Sequence, residues 1–288
     1  MDNTPLIGHT KICQQLNRIA RLSEIPQSFL FTGPKHVGKR RVAWWFAHQL
    51  IRDESQATVF SPDILLIEPE QVATAKQMRE KLISVEAIRS FKQFLSLSPS
   101  FQSYRIGIID RAEKLSQAAT DALLKILEEP PRQSIIILLT SEPEHLPETL
   151  RSRTVRFGFS PVSAEDIRSV LTDSKVQSVP QFFFDLGLPG LIFEGAQSPQ
   201  DFDDMKECLR KLFQISKIPL RKRIELAESL AKDEIETRDI LQIWSIGLLF
   251  QARQGEGSQM TARYTLLQDL LEVLKFLSRN EGSPRSIL

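Results

Sequence analysis

The sequence predicts an α/β fold built on a parallel sheet and followed by purely helical segments. Three observations carry this. Four short apolar runs, at 28–32, 63–67, 105–110 and 134–140, are separated by helix-like stretches. The runs are nearly continuous rather than alternating, which marks strands covered on both faces of a sheet. After about Phe159 no further apolar strand occurs, and the remaining signals are helical.

In chain order, Ser28-Phe29-Leu30-Phe31-Thr32 reads as a buried strand running into a glycine-containing loop, with a helix from about Lys39 to Ile51. A second strand is expected over 63–67, fenced by Pro62 and Pro69. Ser84 is placed to cap a helix running to about Leu97, before Pro99. Residues 105–110 form a third strand. Ser116 caps a helix that ends near Glu129, because Pro130-Pro131 cannot continue it. Residues 134–140 form a fourth strand. Beyond it, 163–173 and the region around Phe182 to Leu186 read as helices, and Gly187-Leu188-Pro189-Gly190 as a break. Ser198 with Asp201 fits a capping box, Pro199 standing at the first helical position. Leu209, Leu212 and Phe213 give that helix an apolar face. Segments 235–251 and 261–279 are amphipathic, with a Gly-rich loop at 254–258 between them. The expected domains are therefore 1–158 (α/β), 159–197 (small helical) and 198–288 (helical, C-terminal).

The composition narrows the function classes. The 288 residues are 41% hydrophobic and 25% charged, as in an ordinary globular protein. No apolar run is long enough to span a bilayer. Met1 to Pro5 lacks the basic and apolar regions of a secretory signal, so a cytoplasmic location is expected. The two cysteines, Cys13 and Cys208, and four scattered histidines give neither a disulfide framework nor a metal-ligand spacing. A net charge of +1 argues against a protein that coats DNA, whose affinity would grow with phosphate contacts from Lys and Arg. The charge is uneven, however: residues 1–50 carry seven basic and two acidic side chains.

Part of that basic excess lies in a motif. Gly33-Pro34-Lys35-His36-Val37-Gly38-Lys39 fits the first seven positions of the phosphate-binding pattern G-x-x-x-x-G-K-[ST], between a strand and a helix. Glycines let backbone N–H groups approach phosphate, and the lysine neutralises it. The eighth position, where a hydroxyl would hold Mg²⁺, is Arg40. In Ile106-Gly107-Ile108-Ile109-Asp110, an apolar strand ends in the aspartate that completes the Mg²⁺ shell of such sites. The next residue, Arg111, is always protonated and cannot act as a base toward water.

Ala119-Thr120-Asp121-Ala122-Leu123-Leu124-Lys125-Ile126-Leu127-Glu128-Glu129-Pro130-Pro131 resembles the N-A-L-L-K-x-L-E-E-P-P signature of clamp-loader subunits. The stretch from Leu139 to Thr154, containing Thr140-Ser141-Glu142-Pro143 and Ser152-Arg153-Thr154, is similar to the T-x-E-P-x-x-L-P-x-T-x-x-S-R-C segment of the same family. Gly8-His9 and Phe29 to Gly33 fit its N-terminal boxes. The resemblance covers about residues 6–158. It implies a P-loop AAA+ domain of parallel-sheet type, followed by a small helical lid and an all-α collar for oligomerisation.

The resemblance also implies roles. Gly33, Gly38, Lys39, Asp110 and Thr140, the sensor position, would line a vestigial nucleotide site. Arg40 replaces the metal ligand and Arg111 the water-activating glutamate. No arginine stands at 187–190, where hydrolysing members carry a second sensor. Together these departures resemble the non-hydrolysing, delta-prime branch of the family. Arg153 would act in trans on ATP held by an adjacent subunit. Residues 52–61 hold no cysteine, so the four-cysteine zinc module of many delta-prime proteins is not expected. The implied partners are gamma/tau-like and delta-like subunits in a hetero-oligomeric ring and, through it, a sliding clamp and primer-template DNA. The alternatives are a hydrolysing clamp-loader subunit or another AAA+ DNA motor.

Overall fold

The structure is a computed structural model that describes residues 6–51, 61–73, 78–100, 104–170 and 181–197, with scattered positions between 207 and 270. The chain divides into two compact units, Met1–Val162 and Ser163–Leu288.

In the first unit, β1 (Ser28–Thr32), β2 (Ile64–Ile67), β5 (Arg105–Ile109), β6 (Ser134–Thr140) and β7 (Val155–Gly158) form one sheet. The strand order is β2-β5-β6-β1-β7, and every pairing is parallel. The central strands β1 and β6 are buried at every residue, which is why their sequences are apolar without alternation. Helix α1 (Thr10–Ile19) packs on α2 (Lys39–Ile51), and α3 (Val85–Leu95) packs on α4 (Gln117–Glu128). Ser84 and Ser116 cap α3 and α4 as expected, each hydroxyl accepting from the N–H three residues on (Ala87 and Ala119). One face of the sheet contributes Leu30, Ile109, Ile136 and Leu138 to a core completed by Ile88, Phe91 and Leu95 of α3 and Leu123 and Ile126 of α4.

Four features of this unit lie outside the sequence expectations. β7 is an edge strand with Val155, Arg156 and Gly158 exposed and only Phe157 buried, so it carries too little apolar signal to stand out. It pairs with β1 in register Phe31↔Phe157. A two-stranded hairpin, β3 (Gln71–Ala73) and β4 (Met78–Glu80), and helix α1 are likewise additional. So is the single turn α5 (Glu148–Arg151).

A buried carboxylate ties the sheet edge together. Asp63, fully buried just before β2, accepts from the Ser100 N–H at 2.9 Å, and Arg105 Nε lies 3.3 Å from its Oδ1. Replacing Asp63 by alanine leaves the Ser100 amide without its carboxylate acceptor, while Arg105 keeps the Ser98 and Pro62 carbonyls. Leaving a buried donor without its acceptor costs about 1–3 kcal/mol, and chemical denaturation of Asp63→Ala should show a loss in that range.

In the second unit, α6 (Ala164–Val170), α7 (Gln181–Asp185) and α8 (Pro189–Gln197) are helical. The break expected at 187–190 is shorter than the sequence suggests. Gly187, at φ 71°, ends α7, but α8 already begins at Pro189. Proline is tolerated there because the first helical N–H has no intrahelical partner to lose. Residues 240, 241 and 243–248 are helical, within the expected amphipathic segment at 235–251. The capping box at Ser198 and Asp201, the apolar face at Leu209, Leu212 and Phe213, and the loop at 254–258 lie outside the described residues. So does most of the segment at 261–279. No helix among the described residues is long and apolar enough to cross a membrane.

Candidate functional site: a phosphate-type loop closed by its own side chains

The sheet order explains why residues distant in sequence meet. β5, β6 and β1 are neighbours, in registers Ile109↔Leu138 and Thr32↔Thr140. Their carboxyl ends therefore deliver Asp110, Thr140 and Gly33 to one rim of the sheet, where ligands bind in open α/β folds.

The loop is fixed from behind. Gly33 donates its N–H to the Thr140 carbonyl at 3.3 Å and takes φ 147°. A Cβ at Gly33 would lie 2.4 Å from the Phe159 carbonyl oxygen, so only glycine fits. At the loop's far end, His9 Nε2 donates to the Val37 carbonyl at 2.9 Å, and its ring meets Phe159 edge-on at 4.8 Å. Burial lowers the His9 pKa; the bond to Val37 opposes that, and the nearby Lys39 charge adds to it. Gly38, at φ 107°, then leads into α2 through the Val42 N–H to Gly38 carbonyl bond.

Lys39 points inward and is 8% exposed. Its ammonium donates to the Gly33 and Pro34 carbonyls, both at 2.7 Å, and to Ser141 Oγ at 3.4 Å. Burial takes its pKa from 10.5 to about 8, against the pull of Asp110 and Glu113. This has a consequence for stability. Between about pH 8 and 10.5 the unfolded chain holds a proton that the folded lysine has released. Stability contributed through this group therefore rises with pH across that window, and the full cost of the buried charge is felt below it. Lys39→Met should remove this rise, and at neutral pH it should leave the melting temperature equal or higher. Melting curves from pH 7 upward check it; an unchanged pH slope in the variant would show that Lys39 titrates normally.

Asp110 accepts the Arg111 N–H on Oδ1 at 2.9 Å, with Arg111 in the left-handed region at φ 53°. Arg40 Nη1 lies 3.5 Å from Asp110 Oδ2 and 2.6 Å from Glu68 Oε2. Burial raises the Asp110 pKa, and Arg40 is the largest influence opposing it. Thr140 is buried; its hydroxyl donates to Glu113 Oε2 at 2.6 Å and accepts the Glu142 N–H at 3.0 Å. Glu142 in turn pairs with His145 Nδ1 at 2.7 Å.

Gly33, Gly38, Lys39, Arg40, Asp110, Arg111 and Thr140 thus gather around one loop. Arg153 belongs to a different environment. It follows α5, and its guanidinium donates to the Thr149 carbonyl and to Glu128 Oε1, both at 2.8 Å. Thr154 Oγ1 donates to the Arg151 carbonyl at 3.0 Å. Sequence reasoning missed Glu68 and Glu113. The available signals were small: Glu68 directly follows the apolar run of β2, and Glu113 stands three residues after Asp110.

A phosphate-binding loop implies a magnesium nucleotide, and the residues present do not fit one. The eighth loop position brings a guanidinium in place of a hydroxyl, and Asp110 already faces that charge on Oδ2 and the Arg111 N–H on Oδ1.

The comparisons agree with this fold. The family described as DNA polymerase III, delta subunit, matches residues 8–163. DNA polymerase III subunit tau of Bacillus subtilis (strain 168) is 31% identical over 174 residues, which cover 56% of this chain and 30% of that protein. DNA polymerase III subunit delta' of Pseudomonas aeruginosa is 28% identical over 143 residues, 45% of this chain and 42% of that one. The chain thus spans less than half the length of these relatives. A solved structure of a DNA polymerase III gamma subunit-related protein from Thermotoga maritima superposes with a TM-score of 0.52 at 19% identity, over 96% of this chain and 99% of that one, a likeness of fold. With more than half of its length matched, the chain belongs to the DNA polymerase III delta subunit family of clamp-loader AAA+ proteins.

Proposed function

We propose that this chain is a non-hydrolysing, delta-prime-type subunit of a DNA polymerase III clamp loader. It supports ATP-driven loading of a sliding clamp on primed DNA and supplies Arg153 to the ATP site of a neighbouring subunit. Residues 159–197 would form the lid and 198–288 the collar that joins gamma/tau-like and delta-like partners in the cytoplasm. The observation that carries the reading is Arg40. Its guanidinium stands 3.5 Å from Asp110 Oδ2, at the loop position where a hydroxyl would help hold Mg²⁺ in a hydrolysing member. Arg111, where hydrolysing relatives would need a base, supports the same reading.

The isolated chain should release no phosphate from ATP, with or without primed DNA. A colorimetric phosphate assay decides between this and a hydrolysing subunit. Turnover of about 1 s⁻¹, the low end of ordinary enzymes, that disappears in Lys39→Ala would establish the hydrolysing alternative.

A further inference from the structure

Arg40 has a role that loss of activity alone does not explain. In a working phosphate loop, the eighth residue and the strand-end aspartate hold one divalent cation between them. Here the eighth residue carries its own positive charge to that place. The guanidinium lies between Glu68 Oε2, at 2.6 Å, and Asp110 Oδ2, at 3.5 Å, and Asp110 Oδ1 is already taken by the Arg111 N–H. Asp110 and Glu68 end adjacent strands, β5 and β2, so the sheet itself fixes the pair of carboxylates. A half-buried carboxylate such as Asp110 needs a counter-charge, and Arg40 provides it permanently. Among the described residues no group of three or more His, Cys, Asp or Glu side chains converges on a metal position.

We propose that Arg40 is a built-in substitute for the divalent cation, bridging Asp110 and Glu68, and that it is the single residue excluding Mg²⁺ from this site. With a hydroxyl in its place, Asp110, Glu68 and that hydroxyl form a weak site for a hard divalent cation, completed by water. The inference uses the loop geometry and no part of the trans role given to Arg153.

The test compares wild type, Asp110→Asn, Arg40→Thr, and Arg40→Thr combined with Asp110→Asn, using the full chain. Melting temperature is measured in chelator and in millimolar Mg²⁺, and Mn²⁺ binding is followed by electron paramagnetic resonance. Wild type should melt at the same temperature with and without Mg²⁺ and bind no Mn²⁺ at this site. Arg40→Thr should melt lower in chelator, and cation at one hundred times its dissociation constant should raise that temperature by about 5–10 °C. It should also bind one Mn²⁺ per chain, and Asp110→Asn should abolish both effects. If Arg40→Thr folds only when Mg²⁺ is present, the proposal is equally supported. The proposal is overturned if Arg40→Thr shows no cation response or fails to fold even with Mg²⁺. It is also overturned if wild type binds Mn²⁺ in a manner lost on Asp110→Asn. A wild-type chain that binds the cation without turnover would sink this inference and leave the non-hydrolysing reading standing.

Discussion

Replacing Arg153 by alanine is expected to leave the isolated chain nearly unchanged and to cripple the assembled complex. Within the chain, Arg153 makes one partly exposed ion pair, with Glu128, and one bond to the Thr149 carbonyl. Exposed pairs of this kind contribute about 0.2–1 kcal/mol, so the melting curve should shift little. Two of the five guanidinium donors are used in these contacts, which hold the head group in place. In well-studied systems an arginine supplied in trans contributes ~10³–10⁵ in rate. At the interface this chain would complete, ATP turnover in the reconstituted complex should therefore fall by about 10³. Clamp loading should fall with it, while assembly stays intact. Lysine should restore little, because a point charge does not reproduce the planar fork. Equal turnover and loading for wild type and Arg153→Ala, at matched assembly, would reduce Arg153 to a surface ion pair.

The parts of the molecule legible in the sequence are those where burial dictates residue type. The central strands β1 and β6 are covered on both faces, so their continuous apolar runs could hardly be anything else. The serine caps of α3 and α4 were readable because a single hydroxyl at a fixed offset does the capping. β7 was not readable, because three of its four residues face out and its strand character comes from pairing with β1. The break expected at 187–190 is longer than the one found, because Pro189 stands at the start of α8. At the site, the motif identified Lys39, Arg40, Asp110 and Arg111, since loop glycines and strand-end acids have fixed places. It did not reveal Glu68 or Glu113. Neither lies in a recognisable pattern, and each acquires meaning only from strand adjacency, β2 beside β5 for Glu68, or from reach across a turn to Thr140 for Glu113. The motif also did not show that Lys39 is bonded to its own loop, because a pattern of residue types carries no side-chain direction.

Gly107 offers the second large effect, and it tests the core rather than the site. It lies on β5 facing α3, on the same side as Ile109 and as Arg105, whose guanidinium sits over the Phe94 ring of α3 at 4.9 Å. A Cβ at Gly107 would stand 2.2 Å from both Cε2 and Cζ of Phe91. Phe91 is fully buried among Ile88, Leu95 and Leu123, so its ring has nowhere to swing. The absent side chain is thus the space the ring occupies. Gly107→Ala should cost about 3 kcal/mol, the upper part of the overpacking range. Phe91→Leu, which empties part of that space, should cost about 1–3 kcal/mol on its own. Combined, the two should cost less than their sum by about 1–3 kcal/mol, because the methyl group enters the volume the ring has left. Urea midpoints for the four proteins of this cycle, read at constant slope, give the coupling directly. Strict additivity would mean that α3 shifts away from the sheet to admit the methyl group, and that the contact between Gly107 and Phe91 does not set the spacing between helix and sheet.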